Sequence, residues 1–163
     1  MMFPADDPVT DDPRPTALFS AAASAAVANS WTSINGWSAA RVYSSVAEEY
    51  LAAHADSAVA DIGPLIRYTV RGGEAALFLQ RVMSAPVSGL EPGESARGLM
   101  LSDEGFVVDI VEAARLAADL YLLSCSRRHA RRLQLAGRGL AASVEEIAEH
   151  VAAMAIMGPG ARE

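Results

Sequence analysis

One carboxylate, Asp109, stands inside an apolar strand pattern, Gly105-Phe106-Val107-Val108-Asp109, that follows a turn ending in glycine. Apolar strand interiors seldom hold an ionised Asp unless something pairs with it or uses it. The structural reading of Asp109 is a cross-strand ion pair with Arg97 or Arg115. Cys125 is the single cysteine, which excludes an intramolecular disulfide and argues against a thiolate metal site. No His or Asp has motif spacing to it, so it reads as a packed strand-end thiol rather than a nucleophile. His54, His129 and His150 are far apart and show no metal-ligand spacing. Glu48 and Glu49 are adjacent on a helix pattern and point in different directions, which makes a bidentate site from them unfavourable. All 13 basic residues are Arg, so no side-chain amine is present for Schiff-base chemistry. Arg127-Arg128-His129-Ala130-Arg131-Arg132 is the one basic cluster. Either it grips an acidic ligand, carrier or partner chain, or it is a solvated face whose arginines pair with Glu145, Glu146 or Glu149.

The elements that must position these residues are readable from periodicity. Thr16–Val27 and Tyr43–Ala55 read as helices, the second capped by Ser44 or Ser45 with Val46, Tyr50 and Leu51 on one face. Between them 29–37 reads as irregular, with Asn35-Gly36 as a turn signal and Trp37 as a core residue. Val59–Ile62 and Leu65–Val70 read as strands, and Arg71-Gly72-Gly73 as a turn. Glu74–Met83 places Ala75, Phe78, Leu79 and Val82 at helical spacing. Arg97–Leu101, Phe106–Ala114 and Leu120–Cys125 form an antiparallel meander with a hairpin turn at 102–105. Arg127–Leu135 predicts a helix, Glu145–His150 a short acidic turn of helix, and Ala152–Met157 a last strand. The fold class is α+β, an antiparallel-rich sheet with flanking helices. Residues 1–15, with two Asp-Asp-Pro units, read as a disordered acidic arm, and 16–163 as one domain with no separating linker.

Composition narrows the function classes. With 163 residues and 52% hydrophobic residues the chain can bury a sizeable core. The net charge of −7 argues against general nucleic-acid binding. No apolar run approaches the roughly 20 residues needed to span a bilayer, and the acidic N-terminus is unlike a signal peptide. The expected location is cytoplasmic, with no membrane partner.

From Thr16 onward, the order of motifs resembles the N-terminal half of the glycine-cleavage T-protein (aminomethyltransferase) family. Thr16-Ala17-Leu18-Phe19 matches its opening helix, Gly36-Trp37 its Gly-Trp, and Tyr43-Ser44-Ser45 through Glu48-Glu49 its second helix. Ala60-Asp61-Ile62-Gly63 is similar to its Phe-Asp-Val/Leu-Ser strand. Gly72 through Phe78-Leu79-Gln80-Arg81 matches its Phe-Leu-Gln-Arg helix, and Met100-Leu101 through Gly105, Val107 and Asp109 its central hairpin. Gly158-Pro159-Gly160-Ala161 resembles its Gly-Pro-x-Ala. The collinear order covers 13–162. There are departures. Ile110 stands where a second Asp is common, Arg97 aligns with a Tyr, Ser84-Ala85-Pro86 with Thr-Asn-Asp, Gly63-Pro64-Leu65 with Ser-His-Met, and Cys125 with a folate-contacting Asn.

The resemblance implies a tetrahydrofolate-dependent methyl- or aminomethyltransferase fold. Asp109 would be the acid/base or charge-stabilising residue. Met100, Leu101, Val108, Val111 and Arg97 would shape the pterin pocket, and Cys125 would sit at its rim. The Arg127–Arg132 cluster is a candidate for the polyglutamate tail of folate. Family members are about twice as long, so a second polypeptide resembling their C-terminal half is the expected partner, beside a small-molecule methyl or aminomethyl donor. The alternative is a non-catalytic structural or assembly subunit of a larger folate-linked complex.

Overall fold

The computed structural model describes residues 12–162, so most of the expected acidic arm lies outside the described residues. In chain order the strands are β1 (Arg14–Pro15), β2 (Ser30–Ile34), β3 (Trp37–Val42), β4 (Ala58–Asp61), β5 (Ile66–Arg71), β6 (Ser95–Leu101), β7 (Val107–Ala117), β8 (Leu120–Cys125), β9 (Ser143–Glu146) and β10 (Met154–Met157). The helices are α1 (Phe19–Ala25), α2 (Val46–Ala55), α3 (Ala75–Val82) and α4 (Ala130–Ala136), with 3-10 turns at Ala148–His150 and Pro159–Arg162. The chain is mixed α+β, as the sequence predicts. Its contacts resolve two compact units: Leu65–Ile147, and the described residues before Leu65 together with those after Ile147. No helix among the described residues is long and apolar enough to cross a membrane.

The Leu65–Ile147 unit is built on an antiparallel five-stranded sheet in the order β6-β7-β8-β5-β9. Strand alternation sends Ile66, Tyr68 and Val70 of β5, Tyr121, Leu123 and Cys125 of β8, and Val111 and Ala113 of β7 into the interior. The helix α3 buries Ala75, Phe78, Leu79 and Val82, the i, i+3, i+4, i+7 set read from sequence, and α4 buries Leu133. Each such Leu or Phe contributes about 1.5–3 kcal/mol on burial. The turn at Gly72 requires glycine: φ is +131°, and a Cβ there would lie 2.3 Å from the Ala141 carbonyl oxygen.

Three local readings differ from the structure. The helix expected from Arg127 begins at Ala130, because the backbone amides of Ser126 and Arg127 point to Asp109 instead of entering a helix. Glu145 and Glu146 belong to β9, where pairing with Tyr68 and Thr69 decides over local helix preference. The irregular stretch before Trp37 is a hairpin, β2–β3, turned by Asn35 and Gly36 at φ 53° and 77°. Positive φ at both central residues is the condition of a type I′ turn.

In the other unit, β1 pairs parallel to β3, so Arg14 and Pro15 are ordered strand residues rather than part of an arm. The Arg14 guanidinium stacks 4.5 Å from the centroid of the buried Trp37 ring. β4 and β10 form an antiparallel pair. Ser45 caps α2 through its Oγ, which accepts from the Glu48 amide at 3.2 Å. Val46, Tyr50 and Leu51 are all exposed and α2 buries no residue. That helix is held by its cap, by Glu49 accepting from the amides of Tyr43 and Ser44, and by the Gly160 amide on the Asp56 carbonyl.

Candidate active site

β7 carries the key carboxylate beside an irregularity. Met100 pairs with Asp109, but Leu101 pairs with Val107, so Val108 is an extra residue in the strand. Such a bulge re-aims the neighbouring side chain. Asp109 points into the interior and is only 6% exposed. Among the described residues it is the one buried carboxylate.

Its charge is met by donors from the turn after β8. Asp109 Oδ2 accepts from the amides of Ser126 at 3.0 Å and Arg127 at 3.3 Å, and lies 2.9 Å from His129 Nε2. Oδ1 accepts from the Ile110 amide at 2.8 Å. Burial works to raise the Asp109 pKa. Hydrogen bonds from the Ser126 side chain, the His129 ring and the Arg127 amide, with the electrostatic influence of His129, outweigh burial and hold the carboxyl below its ordinary value. His129 is fixed in turn: it is 6% exposed, and its amide donates to Tyr68 Oη at 2.9 Å. The chain Tyr68–His129–Asp109 therefore runs from β5 through the β8–α4 turn to β7.

The expected site residues divide by sheet face. Met100, Val111 and Cys125 are buried with Asp109. Burial raises the Cys125 thiol first, the negative charge of Asp109 adds to it, and the thiol is pushed up to about 12. Arg97 and Leu101 lie on the alternate positions of β6, away from Met100, and both are exposed. Arg97 pairs with Glu112 at 3.2 Å. Val108, the bulge residue, is half-buried. Neither cross-strand arginine reaches Asp109: Arg115 is spent on the carbonyls of Leu90, Ala117 and Ala118. In the basic cluster, Arg128 grips both carboxylate oxygens of Glu146 at 2.9–3.0 Å, the solvated-face pairing the sequence offers. Arg132 donates to the Leu101 carbonyl. Among the described residues no group of three or more His, Cys, Asp and Glu is placed to hold a metal ion.

Sequence reasoning did not single out Tyr68, Ser126 or His129 as partners of Asp109. A signal existed in the β7–β8 hairpin. Its register sets Glu112 opposite Ser124. Continued outward, that register brings position 109 to the residues just past Cys125, within reach of His129.

The profile of the GCVT N-terminal domain family matches residues 20–163. The chain belongs to that family. Among curated relatives, the aminomethyltransferase of Thermus thermophilus is 29% identical over 124 residues, 74% of this chain and 36% of the relative. The probable aminomethyltransferase of Haloarcula marismortui is 29% identical over 81% of this chain and 39% of its own length. Sarcosine oxidase subunit alpha of Rhizobium meliloti is 29% identical over 72% of this chain and 13% of the relative. The glycine cleavage system aminomethyltransferase T of Bartonella henselae superposes with a TM-score of 0.80 at 22% identity, over 91% of this chain and 41% of that one. The chain thus spans well under half the length of these proteins. The T-protein resemblance and the α+β fold are as the sequence predicts, and Asp109 lies inside the segment that the GCVT N-terminal domain profile covers.

Proposed function

We propose that this GCVT-family chain is one subunit of a split one-carbon transferase that moves a methyl or aminomethyl unit between a small-molecule donor and tetrahydrofolate. A second polypeptide, resembling the C-terminal half of the aminomethyltransferases, completes the site. The observation that carries this reading is the buried Asp109 carboxylate, kept ionised by hydrogen-bond donors in the middle of an apolar sheet face. Keeping a charge in such a place opposes stability unless it is fully compensated.

The donor set is compatible with a folate-type ligand. Oδ2 takes the Ser126 and Arg127 amides and the His129 ring, and Oδ1 takes the Ile110 amide, so the carboxylate is held in one orientation. Met100 and Val111 are packed on the same buried face and keep the surroundings of the carboxylate apolar. When bound, tetrahydrofolate supplies the nitrogen that takes or gives the one-carbon unit. Asp109, with its lowered pKa, is a weak base at neutral pH, so its part is a fixed negative charge that stabilises positive charge developing on the donor. Cys125, uncharged and buried beside it, keeps that wall neutral.

The test is reconstitution: this chain is mixed with a polypeptide matching the C-terminal half and assayed for transfer from methylamine-type and aminomethyl donors to tetrahydrofolate. Transfer that needs both chains supports the proposal, and absence of tetrahydrofolate binding by the mixture contradicts it. One observation favours a second reading. The Asp109 side chain is nearly closed to solvent. In a non-catalytic assembly subunit the same carboxylate would serve only to fasten the β8–α4 turn. Asp109→Asn separates the two, since full activity in the reconstituted complex would leave only the structural role.

A further inference from the structure

We infer that His129, seated by Tyr68, is a positioning residue for Asp109, fixing which carboxylate oxygen it engages. The inference rests on the reading of Asp109 as the working carboxylate of one-carbon transfer. Three observations carry it. His129 Nε2 and the Ser126 and Arg127 amides converge on the same oxygen, Oδ2, while Oδ1 takes the adjoining Ile110 amide. A carboxylate held at one oxygen by three donors cannot rotate to exchange Oδ1 and Oδ2 without losing all three contacts. Second, the ring is itself immobilised: it is buried, and the backbone N–H that fixes the start of its side chain is tied to Tyr68 Oη at 2.9 Å, across sixty-one residues of sequence. Third, with Asp109 ionised, Nε2 must carry a proton to donate to Oδ2. The titratable groups around the pair are Tyr68, kept neutral by burial, Cys125, pushed up to about 12, and the Arg128–Glu146 ion pair.

The experiment is a carboxyl-detected NMR titration of Asp109 in the 163-residue chain, comparing wild type, His129→Leu and His129→Gln, with near-UV circular dichroism as the check on folding. Leu fills the space without a donor, and Gln restores a neutral N–H. The expected result is an upward move of the Asp109 midpoint in His129→Leu, partly reversed in His129→Gln, with the exposed Glu104 unmoved in both. A folded His129→Leu whose Asp109 titrates as in wild type would overturn the inference. Should His129→Leu fail to fold, wild type alone still decides. A slowly exchanging, strongly downfield His129 Nε2–H resonance that vanishes in Asp109→Asn supports it, and the absence of that resonance in wild type overturns it. Neither readout uses folate. A moved midpoint in a chain that, with its partner, binds no tetrahydrofolate would leave the positioning role standing and remove only the functional reading.

Discussion

His129 Nε2 lies 2.9 Å from Asp109 Oδ2, both side chains almost closed to solvent, and they come from positions twenty residues apart on either side of a β-hairpin. The hairpin register makes the pair, the Val108 bulge aims the carboxylate at it, and the amides of Ser126 and Arg127 complete it. Asp109 is the one buried carboxylate among the described residues, and the expectations below start from it.

Asp109→Asn keeps the shape but presents an amide to three donors. A hydrogen bond to a charged group contributes about 1.5–3 kcal/mol, so a loss of stability of that order is expected from urea unfolding, with the midpoint lowered and the slope unchanged. In the reconstituted complex the same change is expected to lower kcat by about a hundredfold or more, as loss of a preorganised charge does, with little effect on KM.

Acid should destabilise the protein through the same residue. The folded Asp109 carboxyl lies below its ordinary value of 3.8. The unfolded chain therefore binds a proton there before the folded one does, and stability rises with pH across that interval. The Asp109 contribution is fully present above the ordinary value and is lost as pH falls below it through the folded value. Unfolding followed by fluorescence from pH 6 down to pH 2 should show a steeper fall in wild type than in Asp109→Asn.

Cys125 should be inert while the protein is folded. The thiol is 2% exposed and pushed up to about 12, and the thiolate is the reactive form. Labelling with iodoacetamide at pH 8 is expected to be slow in buffer and fast in urea, in step with global unfolding. Rapid labelling of the native chain would mean that this sheet face opens to solvent. The raised folded pKa also works against stability in alkali: it has no effect below the ordinary thiol value of 9.0, and stability declines as pH climbs from there toward the folded value.

Gly72→Ala should be among the most damaging single-methyl changes. A Cβ would sit 2.3 Å from the Ala141 carbonyl oxygen, at a φ of +131° that L-residues rarely adopt. Strained backbone of this kind is worth about 1–3 kcal/mol before the clash is added. Gly73→Ala, next door in open space, is the control and should be close to neutral. Equal midpoints for the two variants in thermal unfolding would show that the turn can shift to accept a side chain.

The parts of the fold legible in sequence are those where local pattern and tertiary context agree. The α3 stripe of Phe78, Leu79 and Val82, the β6–β7–β8 meander and the Ser45 cap all read directly, because periodicity of 3.6 or 2 reports which face is buried. The β2–β3 hairpin was signalled by Asn35-Gly36, yet its strands, rich in Ser, Ala and Thr, lack the apolar alternation that marks a strand. In the site, Asp109 stood out because a charge in an apolar strand breaks the pattern, and Met100 and Val111 followed by register. His129 did not stand out. It sits in an arginine run that reads as one solvated face, and only the three-dimensional turn separates Arg128, paired with Glu146, from a histidine turned inward. Arg97, chosen by position in the resemblance, lies one residue out of phase with Met100 and so on the other face of β6.

The most direct test of the account is calorimetric titration of tetrahydrofolate into this chain mixed with a polypeptide matching the C-terminal half of the aminomethyltransferases, in wild type and in Asp109→Asn. The account predicts binding by the wild-type mixture, none or much weaker binding by this chain alone, and binding by the Asp109→Asn mixture that is not followed by one-carbon transfer. A mixture that forms a stable complex and yet binds no tetrahydrofolate would contradict it, leaving Asp109 and His129 as a buried fastening of the β8–α4 turn.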